Sequence, residues 1–241
     1  MKMKKILISV IMPTYNNKDI YSNVLKVKME LKKVYRNYEI IIVNDGSEKG
    51  WKEKLEKLFK IKDKRIKIIS YNKNKGKGYA LKKGGLFAKG KVIIFLDSDL
   101  EISPKFIFNF VEELKKVDIV IGSKRHPLSK IRYPIFRKTM SFFYQKLIYL
   151  MFNLDVKDTQ VGIKAFKSEV LKKILPKIII KRYAFDLEVL CLAKKEGYKI
   201  KEAPIEINFK LGSTINLKGV INMLIDTLAI YYRLKILKYY D

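Results

Sequence analysis

The sequence predicts an α/β protein built on a mainly parallel sheet with helices on both faces, and three observations carry this. Short Ile- and Val-rich runs recur without the polar alternation of a half-solvated strand. Charged amphipathic segments of helical length separate them. Polar, turn-forming residues follow directly on several runs, at the carboxyl ends where such sheets bind ligands.

Ile6 to Met12, Glu39 to Asn44, Ile66 to Tyr71, Val92 to Asp97 and Ile119 to Gly122 are the expected buried strands. Lys18 to Val34, Glu48 to Phe59, Lys77 to Lys89 and Ser103 to Lys116 are the expected helices, the last opening with Ser103 as N-cap and Pro104 at the first position. After about residue 123 the rhythm changes to a basic loop (Lys124 to Arg132), an apolar-rich segment (Pro134 to Leu154) and a Thr/Gln/Gly stretch (Asp158 to Phe166). A helix (Phe185 to Gly197), a strand (Lys199 to Asn208) and an amphipathic helix (Leu217 to Tyr240) follow. No repeat, low-complexity linker or Pro/Gly-rich hinge interrupts the chain, which predicts one domain over 1–241.

With 241 residues, 48% hydrophobic and only 6 Pro and 12 Gly, the composition excludes wholesale disorder, collagen and coiled-coil arrays. The charge is unusual: 52 Lys and Arg against 24 Asp and Glu give +28. An anionic partner is expected, whether nucleic acid, an anionic membrane surface or a phosphorylated substrate. Lys dominates, with 45 against 7 Arg, a bias that genome composition or heat adaptation also produces. The single Cys191 excludes an internal disulfide and a Cys-based zinc site, pointing to a reducing, cytosolic setting. The basic N-terminus and its apolar run mimic a signal peptide, but the run enters Pro13-Thr14-Tyr15-Asn16-Asn17 without a small-residue cleavage site and reads as a first strand. No uncharged run approaches the roughly 18 to 20 apolar residues of a spanning helix.

The most informative cluster is Phe95-Leu96-Asp97-Ser98-Asp99-Leu100-Glu101. An apolar run ends in acids at alternate positions, so Asp97, Asp99 and Glu101 are expected on one side of an extended strand end, as hard oxygen ligands for Mg²⁺ or Mn²⁺. Their mutual repulsion would otherwise be costly. A solvated strand end with a helix-capping Asp explains one of these acids but not the run. Tyr15 could stack on a base and Asp45 could accept from a base N–H, while Asp45-Gly46-Ser47 could equally cap the next helix. Asn74-Lys75-Gly76-Lys77-Gly78 has the donor-rich look of a phosphate loop, but Leu81 occupies the third glycine position of G-x-G-x-x-G, which disfavours a dinucleotide fold.

Taken in order, Pro13-Thr14-Tyr15-Asn16, Asn44-Asp45-Gly46-Ser47, Asn74 to Gly78 and Asp97-Ser98-Asp99 resemble glycosyltransferase family 2, enzymes of the GT-A fold. Gly122-Ser123-Lys124, Arg137 with Ser141, Asp158-Thr159-Gln160-Val161-Gly162-Ile163-Lys164 and Phe185-Asp186-Leu187-Glu188 resemble its polyprenyl-phosphate branch, closest to dolichyl-phosphate glucosyltransferases. The resemblance implies a nucleotide-sugar half over 1–123, an acceptor half over 124–216 and an amphipathic C-terminal helix over 217–241. It implies nucleotide contacts from Pro13, Tyr15, Asn17, Asp45, Lys75, Gly76 and Asp97, and a metal held by Asp97, Asp99 and Glu101. Two departures stand out: Asn17 where the family usually has Glu, and Glu101 where Gln is common. Lys124 replaces the usual Arg, leaving the bidentate phosphate role to Arg125.

Arginine placement points to an acceptor-phosphate site independently, since Arg125, Arg132 and Arg137 fall within 13 residues of a Lys-dominated chain. With Lys124, Ser141 and Lys210 they form the expected acceptor group; a solvated basic loop beside a membrane is the plainer alternative. Asp158, Gln160, Asp186 and Glu188 are expected to bind sugar hydroxyls or brace the pocket. Asp97, Asp99 and Arg137 are the residues expected to carry the transfer. The implied reaction moves glucose or a related hexose from a UDP-sugar to a polyprenyl or dolichyl phosphate with inversion, on the cytoplasmic face of the membrane. GDP-mannose is the runner-up donor, and a basic nucleic-acid-binding protein is the alternative from another class, although no nucleic-acid module is present. Apolar and basic residues in Ile135 to Phe152 and in the final helix suit an interfacial, peripheral attachment; a core helix or a homo-oligomer interface would use the same residues.

Overall fold

The computed structural model describes residues 6–131, 135–207 and 217–241. Four βα units open the chain: β1 (Ile8–Thr14), α1 (Ile20–Val34), β2 (Tyr38–Asp45), α2 (Lys49–Phe59), β3 (Ile66–Tyr71), α3 (Lys77–Phe87), β4 (Val92–Leu96) and α4 (Ile107–Glu113). Pro104 starts a 3-10 turn that leads into α4, and the Ser103 hydroxyl accepts from the Lys105 N–H as the expected cap. The second half supplies β5 (Ile119–Ser123), β6 (Lys130–Ile131), α5 (Ile135–Phe152), β7 (Ile163–Lys167), α6 (Ser168–Ile174), α7 (Phe185–Lys195), β8 (Ile200–Pro204), β9 (Glu206–Ile207) and α8 (Leu217–Tyr231). A π-helical turn, Tyr232–Ile236, continues α8.

Seven strands form one sheet in the order β3-β2-β1-β4-β7-β5-β8, and β6 pairs with β9 separately. All neighbours run parallel except β7, which is antiparallel to both β4 and β5. The strands are hydrophobic on both sides because both faces are covered. Ile11, Ile41 and Phe95 join one core with residues of α3, α6 and α7, together with Ile148 of α5 and Ile230 of α8. Val10, Met12 and Ile42 join the other with α1, Leu58 of α2 and Phe110 of α4.

The order reverses between β1 and β4, the position at which open α/β sheets leave a crevice. The β1–β4 pairing ends at Ile11 and Phe95, whereas β1 stays with β2 as far as Thr14. The sheet is therefore open beside Pro13, a residue with no N–H to give to a ladder.

The sequence did not reveal β6, β7 or α6. The expected strand over Lys199 to Asn208 is divided into β8 and β9, and the described part of the final helix ends in the π turn. No helix among the described residues is long and apolar enough to cross a membrane.

Candidate active site

Strand ends build the site. Pro13, Thr14 and Tyr15 after β1, Asp45 at the end of β2 and Asp97 to Asp99 after β4 line a cleft of about 620 Å³ with Asn74, Gly76, Lys77, Arg182 and Tyr183. Tyr15 presents its ring at 48% exposure, and the Thr14 hydroxyl is buried without a partner in the protein. A second hollow of about 170 Å³ shares Asp97 and Asp99 with the first and extends to Glu101, Lys124, Gln160 and Gly162.

Asp45 organises the loop opposite. Its Oδ1 accepts from the Lys75 N–H at 2.7 Å and its Oδ2 from the Gly76 N–H at 2.9 Å. This fixes the entry to α3, where Gly76 has φ +103° and lies so near the Lys181 carbonyl that a Cβ would sit 2.5 Å from it. Asp45 does not cap the next helix, whose N-cap is Glu48 without a side-chain bond; it shapes the loop opposite and lines the cleft.

The acids after β4 require a correction. The strand ends at Leu96, and the chain turns through Asp97-Ser98-Asp99 to Leu100, whose φ is +52°. Asp97, Asp99 and Glu101 therefore do not share one side of an extended strand. Among the described residues, no group of three His, Cys, Asp or Glu side chains is gathered to hold a metal ion. Asp97 and Asp99 nevertheless line the same cleft, two hard donors that fit a cation taking its other ligands from phosphate and water. Glu101 lines only the second hollow.

Gly162 explains the placement of Asp97. The Asp97 N–H donates to the Gly162 carbonyl at 2.9 Å, and a Cβ on Gly162 would stand 2.5 Å from Asp97 Oδ2. Any side chain there would displace the carboxylate. The Lys77 ammonium meets Asp97 from the other side, 2.6 Å from Oδ1 and 2.8 Å from Oδ2. Burial opposes its charge, but Asp97 and then Asp186 outweigh that effect and hold Lys77 above the ordinary lysine range.

Several predicted residues prove to be braces. Asn17 donates to the Ser98 carbonyl at 2.9 Å and accepts from the Asp19 N–H at 2.9 Å, tying the β1–α1 loop to the β4 turn instead of lining the cleft. Asp158, 3% exposed, accepts from the Lys124 N–H at 3.0 Å and pairs with the Lys124 ammonium at 3.2 Å. Glu188, wholly buried in α7, accepts from the N–H groups of Ile179 and Ile180 at 3.0 and 2.8 Å, from the Tyr240 hydroxyl, and from Arg233 at 3.3 Å. It does not line the cleft.

Of the expected acceptor group, Arg125 and Ser141 come together: Arg125 Nη2 donates to Ser141 Oγ at 3.3 Å, and the guanidinium lies 5.6 Å from the Phe142 ring centre. Arg137 is on α5 one turn before Ser141, its side chain outside the described set, and Arg132 and Lys210 lie outside the described residues. Gln160 lines the second hollow with its Nε2 buried and unpartnered.

The glycosyl transferase family 2 model matches residues 9–175, more than half of the chain and all of the strand ends that line this cleft. The chain belongs to glycosyltransferase family 2. That membership makes it a glycosyltransferase. A dolichyl-phosphate beta-glucosyltransferase of Trichomonas vaginalis is 32% identical over 244 residues, covering 95% of this chain and 74% of that protein. One of Dictyostelium discoideum is 30% identical over 248 residues, covering 95% and 75%. Among solved structures, glucosyl-3-phosphoglycerate synthase from Mycobacterium tuberculosis, in complex with Mn²⁺, UDP and phosphoglyceric acid, superposes with a TM-score of 0.71 at 16% identity, covering 94% and 78%. Mannosyl-3-phosphoglycerate synthase from Rubrobacter xylanophilus gives 0.70 at 16%, covering 95% and 75%. Both carry the fold that the motifs implied for this family 2 transferase.

Four residues at or behind the cleft received no role of their own from the sequence: Lys77 and Lys164, which stand inside its motifs, and Arg182 and Tyr183. Lys164 of β7 is 1% exposed, with its ammonium 3.0 Å from Asp186 Oδ1 and 2.7 Å from the Val161 carbonyl. Burial pulls it below the ordinary lysine range despite Asp186, and Lys77 nearby adds to the pull. A signal for it exists in Phe185-Asp186-Leu187-Glu188-Val189-Leu190-Cys191-Leu192-Ala193, where two acids stand in an otherwise apolar helix. Buried carboxylates need cations, and a lysine in a strand is the natural source. Arg182 and Tyr183 reach the cleft from a loop that carries no motif.

Proposed function

We propose that this chain transfers a hexose, glucose or a close relative, from a UDP-sugar to a polyprenyl or dolichyl phosphate at an anionic membrane surface, with inversion and with a divalent cation. The observation that carries this is the continuity of the two hollows. The cleft at the strand ends shares Asp97 and Asp99 with the hollow that reaches Lys124, and the next residue, Arg125, is bonded to Ser141 on α5. Donor-binding features and a basic acceptor group thus meet across two carboxylates.

The assignments follow from chemistry. Pro13, Tyr15, Asp45 and Gly76 line the cleft that would take the nucleoside and diphosphate, with Lys75 behind them tying its N–H to Asp45, and Asp97 and Asp99 would hold the cation. Bound there, a divalent ion supplies charge stabilisation for the departing nucleoside diphosphate. Lys124 and Arg125, with Arg137 one turn before Ser141, orient the acceptor phosphate. A phosphate monoester with a second pKa near 6 is mostly dianionic at pH 7, so the attacking oxygen needs no general base. The protein's contribution is to align that oxygen with the anomeric carbon and to neutralise the two anions. Gln160 lines the hollow on the sugar side, and Asp186, buried against Lys164, braces the interior behind it.

The outer faces of α5 and α8 support the membrane assignment. Phe143 and Leu150 of α5 are 64% and 71% exposed, and Ile225 and Leu228 of α8 are 57% and 60% exposed. The helices are joined by a 2.9 Å contact between the Tyr144 and Thr227 hydroxyls and by Phe152 against Tyr231. Large apolar side chains left outward on two coupled helices suit a lipid surface.

The decisive assay incubates the purified protein with UDP- and GDP-sugars, Mn²⁺ or Mg²⁺ and a short polyprenyl phosphate, then weighs the extracted lipid by mass spectrometry. A hexosyl phospholipid formed from UDP-glucose is the expected product. Transfer from GDP-mannose alone would reassign the donor, and no glycosylated lipid with any donor would refute the acceptor.

A further inference from the structure

Lys77 is a cleft charge to which the transfer chemistry above gives no task. It is the first residue of α3, where the helix dipole disfavours a cation, so its position is explained by the carboxylates it meets. One ammonium lies within 2.8 Å of both oxygens of Asp97. A divalent ion would take at least one of those oxygens, and an ammonium within 2.8 Å of both would then lie close enough to repel it strongly.

The base of Lys77 is fixed and its head is free to move. Asp45 holds the N–H groups of Lys75 and Gly76, and Gly76 is wedged against Lys181. The side chain itself is 39% exposed on a flexible four-carbon stem. Asp186, the second carboxylate acting on Lys77, is already matched by the buried Lys164, and Asp99, the third, would be engaged by the same cation. An ammonium leaving Asp97 therefore finds its new partner in an incoming anion.

We infer that Lys77 is a resident counterion of Asp97, exchanged for the divalent cation when the nucleoside diphosphate arrives. This rests on the cleft being the donor site. The exchange couples the two ligands: the diphosphate gives the displaced ammonium a partner and so lowers the cost of placing metal on Asp97. By linkage the metal raises nucleotide affinity by the same factor. Lys77 thereby keeps the empty protein from capturing metal unproductively.

The test is Mn²⁺ binding to the whole protein, by titration calorimetry and by the loss of the free-ion electron paramagnetic resonance signal, with and without UDP. Wild type is expected to bind Mn²⁺ weakly alone and at least about tenfold more tightly with UDP. Lys77→Met should bind Mn²⁺ alone about tenfold more tightly than wild type, because one repelling charge beside a divalent ion is gone, and its UDP enhancement should shrink by about the same factor, leaving the part that the diphosphate supplies as a ligand. Lys77→Arg, which keeps the charge, should preserve the wild-type pattern. Lys77→Gln gives the same readout if the Met variant does not fold. Wild-type Mn²⁺ affinity and full UDP enhancement in the neutral variants would overturn the counterion role while leaving the donor site intact. If wild type bound neither UDP nor Mn²⁺, the donor site itself would fall, and the counterion role with it.

Discussion

Glu188→Gln tests whether the C-terminal segment supports the donor cleft. Four donors converge on this wholly buried carboxylate, two from the backbone of Ile179 and Ile180 and two from Tyr240 and Arg233 beyond α8. An amide has a single acceptor oxygen, so its NH₂ must face either the backbone pair or the Tyr240 and Arg233 pair, donor against donor. Removing one partner of a buried ion pair costs about 3 to 5 kcal/mol. Arg233 retains 16% side-chain exposure, so water can partly compensate it, and a loss near about 3 kcal/mol is expected. Tyr240→Phe deletes one charge-assisted bond and should cost about 1.5 to 3 kcal/mol, less than the Gln variant. The double variant should fall short of the sum, because both act on one carboxylate.

The consequence for ligand binding follows from the chain path. Ile179 and Ile180 lead into Lys181, whose carbonyl accepts from the Tyr79 N–H at 3.0 Å, and into Arg182 and Tyr183 on the cleft wall. Loosening Glu188 should therefore weaken UDP binding by about threefold or more, even in protein that remains folded. Urea unfolding at pH 7 gives the stability change, and calorimetry with UDP gives the affinity. A Glu188→Gln protein within 1 kcal/mol of wild type, with unchanged UDP affinity, would refute the clamp (about 1 kcal/mol being the net worth of an ordinary hydrogen bond).

Three further outcomes are expected. Ile225→Glu with Leu228→Glu should leave the melting temperature near wild type, since both side chains face outward, yet abolish binding to vesicles containing anionic lipid, where each buried residue contributes about 1.5 to 3 kcal/mol; co-sedimentation at moderate and high salt reads this. Arg125→Ala should raise the KM for polyprenyl phosphate by about tenfold or more with UDP affinity unchanged, as steady-state kinetics with each substrate limiting would reveal. Lys173 first, and then Lys177, lower the Glu196 carboxyl from 4.5 to about 2, so its stabilising effect is complete above pH 4.5 and is lost as pH falls towards 2. Urea midpoints should therefore drop less between pH 4.5 and 2.5 in Glu196→Gln than in wild type.

The parts legible in the sequence are those in which burial is uniform. The runs of β1, β2, β4 and β5 are hydrophobic on both sides because helices cover both faces, and their polar ends mark the cleft. β7 was hidden because Ile163-Lys164-Ala165-Phe166-Lys167 carries two lysines, which read as surface, although Asp186 lets Lys164 lie in the interior. The alternate acids after β4 suggested a continuing strand, while the left-handed Leu100 shows that the backbone turns there. The family resemblance puts Asn17 at the nucleotide, but an Asn with both ends of its amide satisfied by loop backbone is a tie between loops. Spacing identifies which loops meet; it does not say which polar residues face the ligand and which hold the loops in place.

The net charge of +28 takes on a narrower meaning once the interior is counted pair by pair. Asp97 meets Lys77, Asp186 meets Lys164, Asp158 meets Lys124 and Glu188 meets Arg233. Within each of these pairs the two charges cancel, which limits the desolvation cost of holding them at or below the surface. The excess lies outside these pairs, on exposed side chains such as Lys26 and Lys172. Surface charge of this kind attracts anions over a Debye length of about 8 Å at physiological salt and does not select among them. Selection falls to the matched pairs, because each can accept a charged ligand only by exchanging a partner. A cation entering at Asp97 must displace Lys77, and an acceptor phosphate drawing Lys124 must take it from Asp158. Raising ionic strength should then slow substrate capture and weaken membrane association while leaving the ranking of donor sugars unchanged.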